Sequence, residues 1–350
     1  MRVELFDYHL PPDLIAQTPV EPRDISRLMV IDCEGKTVEH HHFRDLPAYL
    51  HEGDCLVFNE SRVRRARLRG RKTAGGGGVE LLLLRNRGGE IWEALARPAR
   101  RLRPGEKIVF GGGELEAEVM EKGERGWFSV RLNPGDPRAV EDILERLGEV
   151  PLPPYIRGKL ADPERYQTVF ARRVGSAAAP TAGLHFDNRT LQGLREKGVR
   201  LAFIRLDVGL DTFRPIEEAE VEDHRMHAEA LFLGEEACGT INAARREGRR
   251  VVAVGTTVVR ALESSVKDGE VVPREGATGL FIYPGFRFKV VDCLVTNFHF
   301  PRSSLLLLVC AFAGRDLVME AYSQAVERRY RFLSFGDACY FHYPQGRVSM

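Results

Sequence analysis

The chain has 350 residues, enough for about two domains and at least one large core. Hydrophobic residues make up 43% and charged residues 29%, a globular balance that excludes wholesale disorder. Lys plus Arg number 51 against 50 Asp plus Glu, so the net charge of +1 excludes general polyanion binding and leaves any nucleic-acid surface to local clustering.

The six cysteines are scattered without a C-x-x-C pair and read as reduced core residues. The N-terminus carries acids where a secretory signal needs an apolar run, and Leu305–Phe312 is far short of the roughly 20 residues that cross a bilayer. A cytoplasmic location is expected.

In chain order, Leu28–Asp32 predicts a strand, Leu46–Leu50 a short helix, and Asp54–Phe58 a second strand stopping at Asn59-Glu60-Ser61-Arg62. The His40–His42 run between them reads as surface, because neighbouring strand residues point to opposite faces. From Arg62 the composition turns basic, with Arg64, Arg65, Arg67, Arg69, Arg71 and Lys72 close together. Arg67, Arg69 and Arg71 alternate with Ala66, Leu68 and Gly70, so a strand there has one basic and one packing face. A single-signed ladder repels itself unless an anion offsets it, and RNA phosphate is the candidate anion; a solvated charge run is the plainer reading. Arg97, Arg100, Arg101 and Arg103 extend the basic character.

Short β-like runs separated by glycine turns continue to residue 150, which makes 63–150 an inserted all-β domain, barrel or sandwich. Gly75–Gly78 lacks the Lys-Ser/Thr of a phosphate loop and reads as a hairpin tip. Pro151–Ile156 marks a stiff return crossing into a core formed by 1–62 and 151–350. There Asp162–Arg172 reads as helical, and Asp187 or Asn188 caps a helix running to Lys197 that Gly198 closes. Strands follow at Val199–Val208, Val251–Val254 and Val290–Val295, with a helix near Glu235–Glu247. Three strands end in polar or small residues, and open α/β sheets gather ligands beyond such carboxyl ends.

The candidate chemistry sits in four stretches. Ala179-Pro180-Thr181-Ala182-Gly183-Leu184-His185-Phe186 offers small residues for close ligand approach and one imidazole, or else a turn with a satisfied histidine. Gly255-Thr256-Thr257-Val258-Val259-Arg260 reads as a helix start with threonine as cap, where Arg260 in the first turn is offset by Glu263 or by a bound anion. Asp223–Glu229 packs His224, His227 and Glu229 together; without a cysteine or third histidine it points to acid-base work or hydrogen bonding rather than zinc. Phe281–Phe286, with Tyr283, suits base stacking or a packed hairpin, and Tyr330–Ala338 reads as a strand lid or docked tail.

These blocks, with Phe58–Arg71, Pro151–Ile156, Val290–Pro301 and Ala311–Gly314, resemble the S-adenosylmethionine:tRNA ribosyltransferase-isomerases of queuosine synthesis nearly end to end. The resemblance implies a monomer with a mixed-sheet, barrel-like α/β core and the inserted β domain contacting tRNA. It implies transfer and rearrangement of the ribosyl group of S-adenosylmethionine onto a 7-aminomethyl-7-deazaguanine at the tRNA wobble position. Epoxyqueuosine-tRNA, adenine and methionine are the products, and no metal or further cofactor is implied.

That chemistry needs a base beside the sulfonium and an acid for departing adenine. His185, His224, His227 and Glu229 are the titratable candidates. Thr256, Thr257 and Arg260 suit a carboxylate or phosphate, and Asn297 and His299 suit sugar hydroxyls. Asn59, Arg62, Pro180, Thr181, Gly183, Asp207, Gly255 and Tyr283 complete the expected substrate site; Arg64, Arg67, Arg69, Arg71 and Lys72 are the expected tRNA contacts. Asp207 and Asp211 stand where the family pattern has histidine and glycine, and Val258 replaces a small polar residue. A methyltransferase is disfavoured because no glycine-rich loop follows an early strand; a noncatalytic RNA-binding relative remains open.

Overall fold

The structure, a computed structural model, describes residues 1–123, 126–134, 140–209 and 215–343. The expected Asp211 lies outside the described residues. Two compact units result, Met1–Arg62 with Pro153–Met350, and Val63–Leu152.

The larger unit is built on a nine-stranded mixed sheet, in the order Arg274–Thr278, Glu229–Leu233, Arg200–Leu206, Cys55–Asn59, Val251–Val254, Cys293–Asn297, Ala338–His342, Arg27–Asp32 and Thr37–His42. The four strands from Arg200–Leu206 to Cys293–Asn297 run parallel. Strand alternation divides their side chains between two cores: Cys55, Val57, Val251, Ala253 and Leu294 face one, while Leu56, Phe58, Val252, Val254 and Val295 face the other. Burial on both faces explains why these strands read as continuous apolar runs.

The helix Asn188–Glu196 is held as the sequence predicts: the Asp187 carboxylate accepts the Thr190 N–H, and Gly198 at φ +82° turns the chain away. Ser304–Ala313 is apolar around most of its surface because it is buried, with the Ser303 hydroxyl capping its start. Among the described residues no helix is long and apolar enough to cross a membrane.

Several local expectations need correction. Asp162–Arg172 contains one 3-10 turn, Pro163–Tyr166, because the Arg23 guanidinium takes the carbonyls of Glu164 and Gln167 on which a continuing helix would depend. The strand expected from Val290 begins at Cys293, since the N–H groups of Val290 and Val291 are bound by the Glu263 carboxylate. Of the two readings of Tyr330–Ala338, the docked one holds: Tyr330, Phe332, Leu333 and Phe335 are buried and Phe332 bridges to Ile15, after which Ala338–His342 enters the sheet between Cys293–Asn297 and Arg27–Asp32. Its apolar residues need burial on both faces, which an interior position supplies.

The smaller unit is a closed six-stranded barrel of Arg67–Lys72, Gly78–Gly88, Ile91–Arg97, Lys107–Phe110, Leu115–Lys122 and Trp127–Asn133. Leu68, Leu81, Trp92, Phe110, Phe128 and Val130 fill it. A Cβ at Gly70 would stand 2.5 Å from the Phe110 ring, so glycine admits that ring beneath the arginine ladder. A mixed α/β core and a small closed β-barrel are thus present, as the sequence predicts.

Candidate functional site

The parallel strands deliver their carboxyl ends to one place. Asn59, Leu206 to Val208, Gly255 and Asn297 follow or finish the four central strands. Because Ala338 pairs with Asn297, the turn before the last strand brings Leu333 and Ser334 to the same end. A cleft opens there. Its walls are Ala179–Ala182, Gly255–Thr257, Thr296–Phe300, Tyr155, Val208, Ser303, Leu305, Leu333 and Ser334, a lining without Lys, Arg, Asp or Glu among the described residues.

The expected residues Pro180, Thr181, Gly255, Thr256, Thr257, Asn297 and His299 therefore share one pocket. His185 lies behind it, lining an adjoining smaller cleft with Arg23 and Arg165. A hydrogen-bond chain joins the two spaces. The Asn297 amide nitrogen donates to the Leu333 carbonyl at 3.3 Å, which fixes the amide orientation, and to His185 Nε2 at 3.1 Å. Its oxygen accepts the Thr181 hydroxyl at 2.8 Å. With Nε2 accepting, the His185 proton sits on Nδ1, 2.8 Å from Ser26 Oγ, which in turn donates to the Arg23 carbonyl. Burial, with the nearby charges of Arg23 and Arg331, lowers the His185 pKa to about 3, so the ring is neutral. Phe43 stacks on it at 5.0 Å. The Thr181 hydroxyl, having spent its hydrogen on Asn297, turns only lone pairs toward a ligand.

His299 is also neutral, its pKa lowered to about 3 by burial, with Nδ1 3.2 Å from the Tyr322 hydroxyl and Nε2 3.3 Å from that of Thr296. Tyr155, whose phenol is pushed up to about 12 by burial, lies 2.6 Å from Ser334 Oγ and meets the Phe300 ring edge-on at 5.3 Å. Neither Tyr155 nor Ser334 is among the expected site residues; Tyr155 lies in the stiff crossing Pro151–Ile156 and Ser334 in the stretch Tyr330–Ala338.

The helix Thr256–Glu263 starts from Gly255, not from a threonine cap. Gly255 adopts φ +99° and ψ 150°, a conformation reserved for glycine, and no side chain caps the first turn. Thr256 and Thr257 of this first turn line the pocket, while the Val258 N–H bonds the Gly255 carbonyl and the Thr257 hydroxyl also accepts from Asn59 at 3.5 Å. Arg260 corrects the reading more sharply. It lies beyond the first turn, and its counterion is neither Glu263 nor a ligand: it is Glu229, in a buried ion pair with both side chains 3% exposed. The Thr278 and Leu280 carbonyls take its other donors, and Glu229 also accepts the Gly209 N–H. Glu263 instead holds the backbone of residues 289–291.

The remaining expected residues lie outside the pocket lining. Asn59 is buried beneath it and braces Leu206 and Thr257. A Cβ on Gly183 would press on Phe170 and Thr168, so this glycine serves packing. Asp207 is paired with Arg205 and accepts the Ser61 hydroxyl; Arg62 pairs with Glu164 at 2.8 Å. His224 pairs with Glu218 and meets the Phe281 ring, next to Tyr283, while His227 is exposed.

In the barrel the basic ladder finds its anions within the same unit. Arg64 meets Glu141, Arg65 Glu145, Arg67 and Arg69 share Glu80, Arg69 also meets Glu149, and Lys72 meets Glu106. Arg71 is exposed. Self-repulsion along the ladder therefore needs no nucleic acid to relieve it.

A family model described as queuosine biosynthesis protein matches residues 3–341. The chain is 55% identical to an S-adenosylmethionine:tRNA ribosyltransferase-isomerase of Moorella thermoacetica, over 97% of this chain and 99% of that one. It is 51% identical to the enzyme of the same name from Acetivibrio thermocellus, again over 97% and 99%. A crystal structure of S-adenosylmethionine tRNA ribosyltransferase from Thermotoga maritima aligns with a TM-score of 0.56 and 41% identity, covering 96% of this chain and 99% of that one. The chain thus belongs to the S-adenosylmethionine:tRNA ribosyltransferase-isomerase family, enzymes of queuosine biosynthesis.

Proposed function

We propose that the chain transfers the ribosyl group of S-adenosylmethionine to 7-aminomethyl-7-deazaguanine at the tRNA wobble position and rearranges it to the epoxycyclopentanediol, releasing adenine and methionine. The observation that carries this reading is the pocket at the strand ends, whose described lining joins Thr181, Thr256, Thr257 and Asn297 to the aromatic rings of Tyr155 and Phe300 without a charged side chain. A sulfonium cation is repelled by a charged imidazole, and the two histidines nearest the pocket are held neutral. In this reading the methionine carboxylate faces the N-terminus of Thr256–Glu263 with Thr256 and Thr257, where the helix dipole favours an anion. Adenine packs against Tyr155 and Phe300, and a ribose hydroxyl donates to Thr181. His185 is then a positioning residue, holding Asn297 so that Thr181 presents lone pairs, and the Glu229–Arg260 pair supports the wall rather than the chemistry. The enzyme works as a cytoplasmic monomer without metal or further cofactor, with its barrel unit on the RNA.

Incubation with S-adenosylmethionine and tRNA bearing the aminomethyl-deazaguanine, followed by nucleoside mass analysis, tests the proposal. Epoxyqueuosine with free adenine and methionine is expected. S-adenosylhomocysteine would indicate methyl transfer, and tRNA binding without turnover would indicate a noncatalytic relative.

A further inference from the structure

The barrel carries two groups of cations, and they differ in what surrounds them. The ladder residues Arg64, Arg65, Arg67, Arg69 and Lys72 are each paired with a carboxylate of the same unit, and Arg71 alone on the ladder is exposed without an ion pair among the described residues. The turn after Ile91–Arg97 is different. Arg97, Arg100, Arg101 and Arg103 are all exposed, and none has an ion-pair partner among the described residues. Two nearby acids are already engaged: Glu80, in register opposite Arg97, takes Arg67 and Arg69, and Glu106 takes Lys72 and the Arg103 N–H.

The turn is also held in place. Leu102 is fully buried in the barrel core between exposed Arg101 and Arg103. Lys72 donates to the Arg101 carbonyl at 2.9 Å, and Lys122 to those of Ala99 and Leu102 at 3.1 and 3.3 Å. Two further cations thus stand beneath four exposed guanidiniums. Loops that carry unpaired like charges are ordinarily splayed by repulsion; this one is pinned by its apolar residue and its carbonyls, which keeps the guanidiniums outward and hydrated until an anion meets them.

We propose that this arginine turn, Arg97 to Arg103, rather than the ladder, is the surface with which the barrel grips the phosphate backbone of tRNA; the inference rests on the functional reading above. Guanidiniums bind phosphate bidentately, and one already paired with a carboxylate must give up that partner first, whereas an unpaired one releases only water and counterions.

The test is tRNA binding by the full chain across a salt series, for the parent, for R97Q/R100Q/R101Q/R103Q and for R67Q/R69Q, with the S-adenosylmethionine affinity and thermal midpoint of each chain as checks on folding. The turn variant is expected to lose affinity on the order of 10²- to 10³-fold at 0.1 M salt, and its plot of log affinity against log salt to flatten by about 3, near 0.7 to 0.9 per phosphate contact. The ladder variant should flatten by less. A turn variant with the parent's slope, or a ladder variant that loses more, would overturn the inference. A parent that turns over tRNA yet shows no salt dependence would overturn it too, while a parent that binds no tRNA at all would overturn the functional reading itself.

Discussion

Asn297 gives one amide hydrogen to His185 Nε2 at 3.1 Å and the other to the Leu333 carbonyl at 3.3 Å, so its oxygen is left to the Thr181 hydroxyl. The imidazole therefore orients the pocket through the amide. His185→Phe keeps the stacking on Phe43 but strands one Asn297 N–H, a loss of about 1 to 3 kcal/mol, and kcat/KM should fall ten- to hundredfold. The pH profile of the remaining activity should keep the parent's shape. An inflection near neutral pH that vanishes with His185 would make it the proton carrier instead.

Thr181→Val removes the lone pairs that face the pocket while keeping volume. The KM for S-adenosylmethionine should rise roughly tenfold, as for one lost hydrogen bond, and Thr181→Ser should restore it. Equal effects of the two substitutions would argue that only shape matters there.

The Glu229–Arg260 pair should matter first for stability. Glu229→Leu leaves a buried guanidinium uncompensated, and the expected loss is about 3 to 5 kcal/mol in denaturant unfolding. Glu229→Leu with Arg260→Met should recover part of it. A singly substituted chain of parental stability would move Glu229 back among the catalytic candidates.

Acid should weaken the fold through the buried imidazoles. His185 and His299 have pKa values of about 3 against an ordinary 6.5, so the unfolded chain binds more protons between those limits. Stability from each is complete above pH 6.5 and falls as pH drops toward 3. Between pH 6.5 and 5 each contributes a loss of about 1.5 kcal/mol. Urea midpoints at the two pH values check this, with His299→Gln expected to flatten the decline.

Much of the site was legible because it is made of strand ends. Asn59, Gly255 and Asn297 each follow an apolar run, and a parallel sheet must bring such ends together. What the sequence concealed were partners distant along the chain. Arg260 looked in need of an anion because Glu229 stands 31 residues away, and Glu263, its neighbour in sequence, was already holding another turn. The arginine ladder looked unbalanced because Glu80 meets it only across the hairpin with Gly78–Gly88, and Glu141 and Glu149 only when the helix Val140–Leu147 and the residues after it fold back on it.

The most direct measurement is a crystal structure of the chain soaked with S-adenosylmethionine. The account predicts the nucleoside in the cleft of the strand ends, with its carboxylate at Thr256 and Thr257, its adenine beside Tyr155 and a hydroxyl on Thr181. Density for the ligand against His227 or Arg260, with that cleft empty, would contradict it.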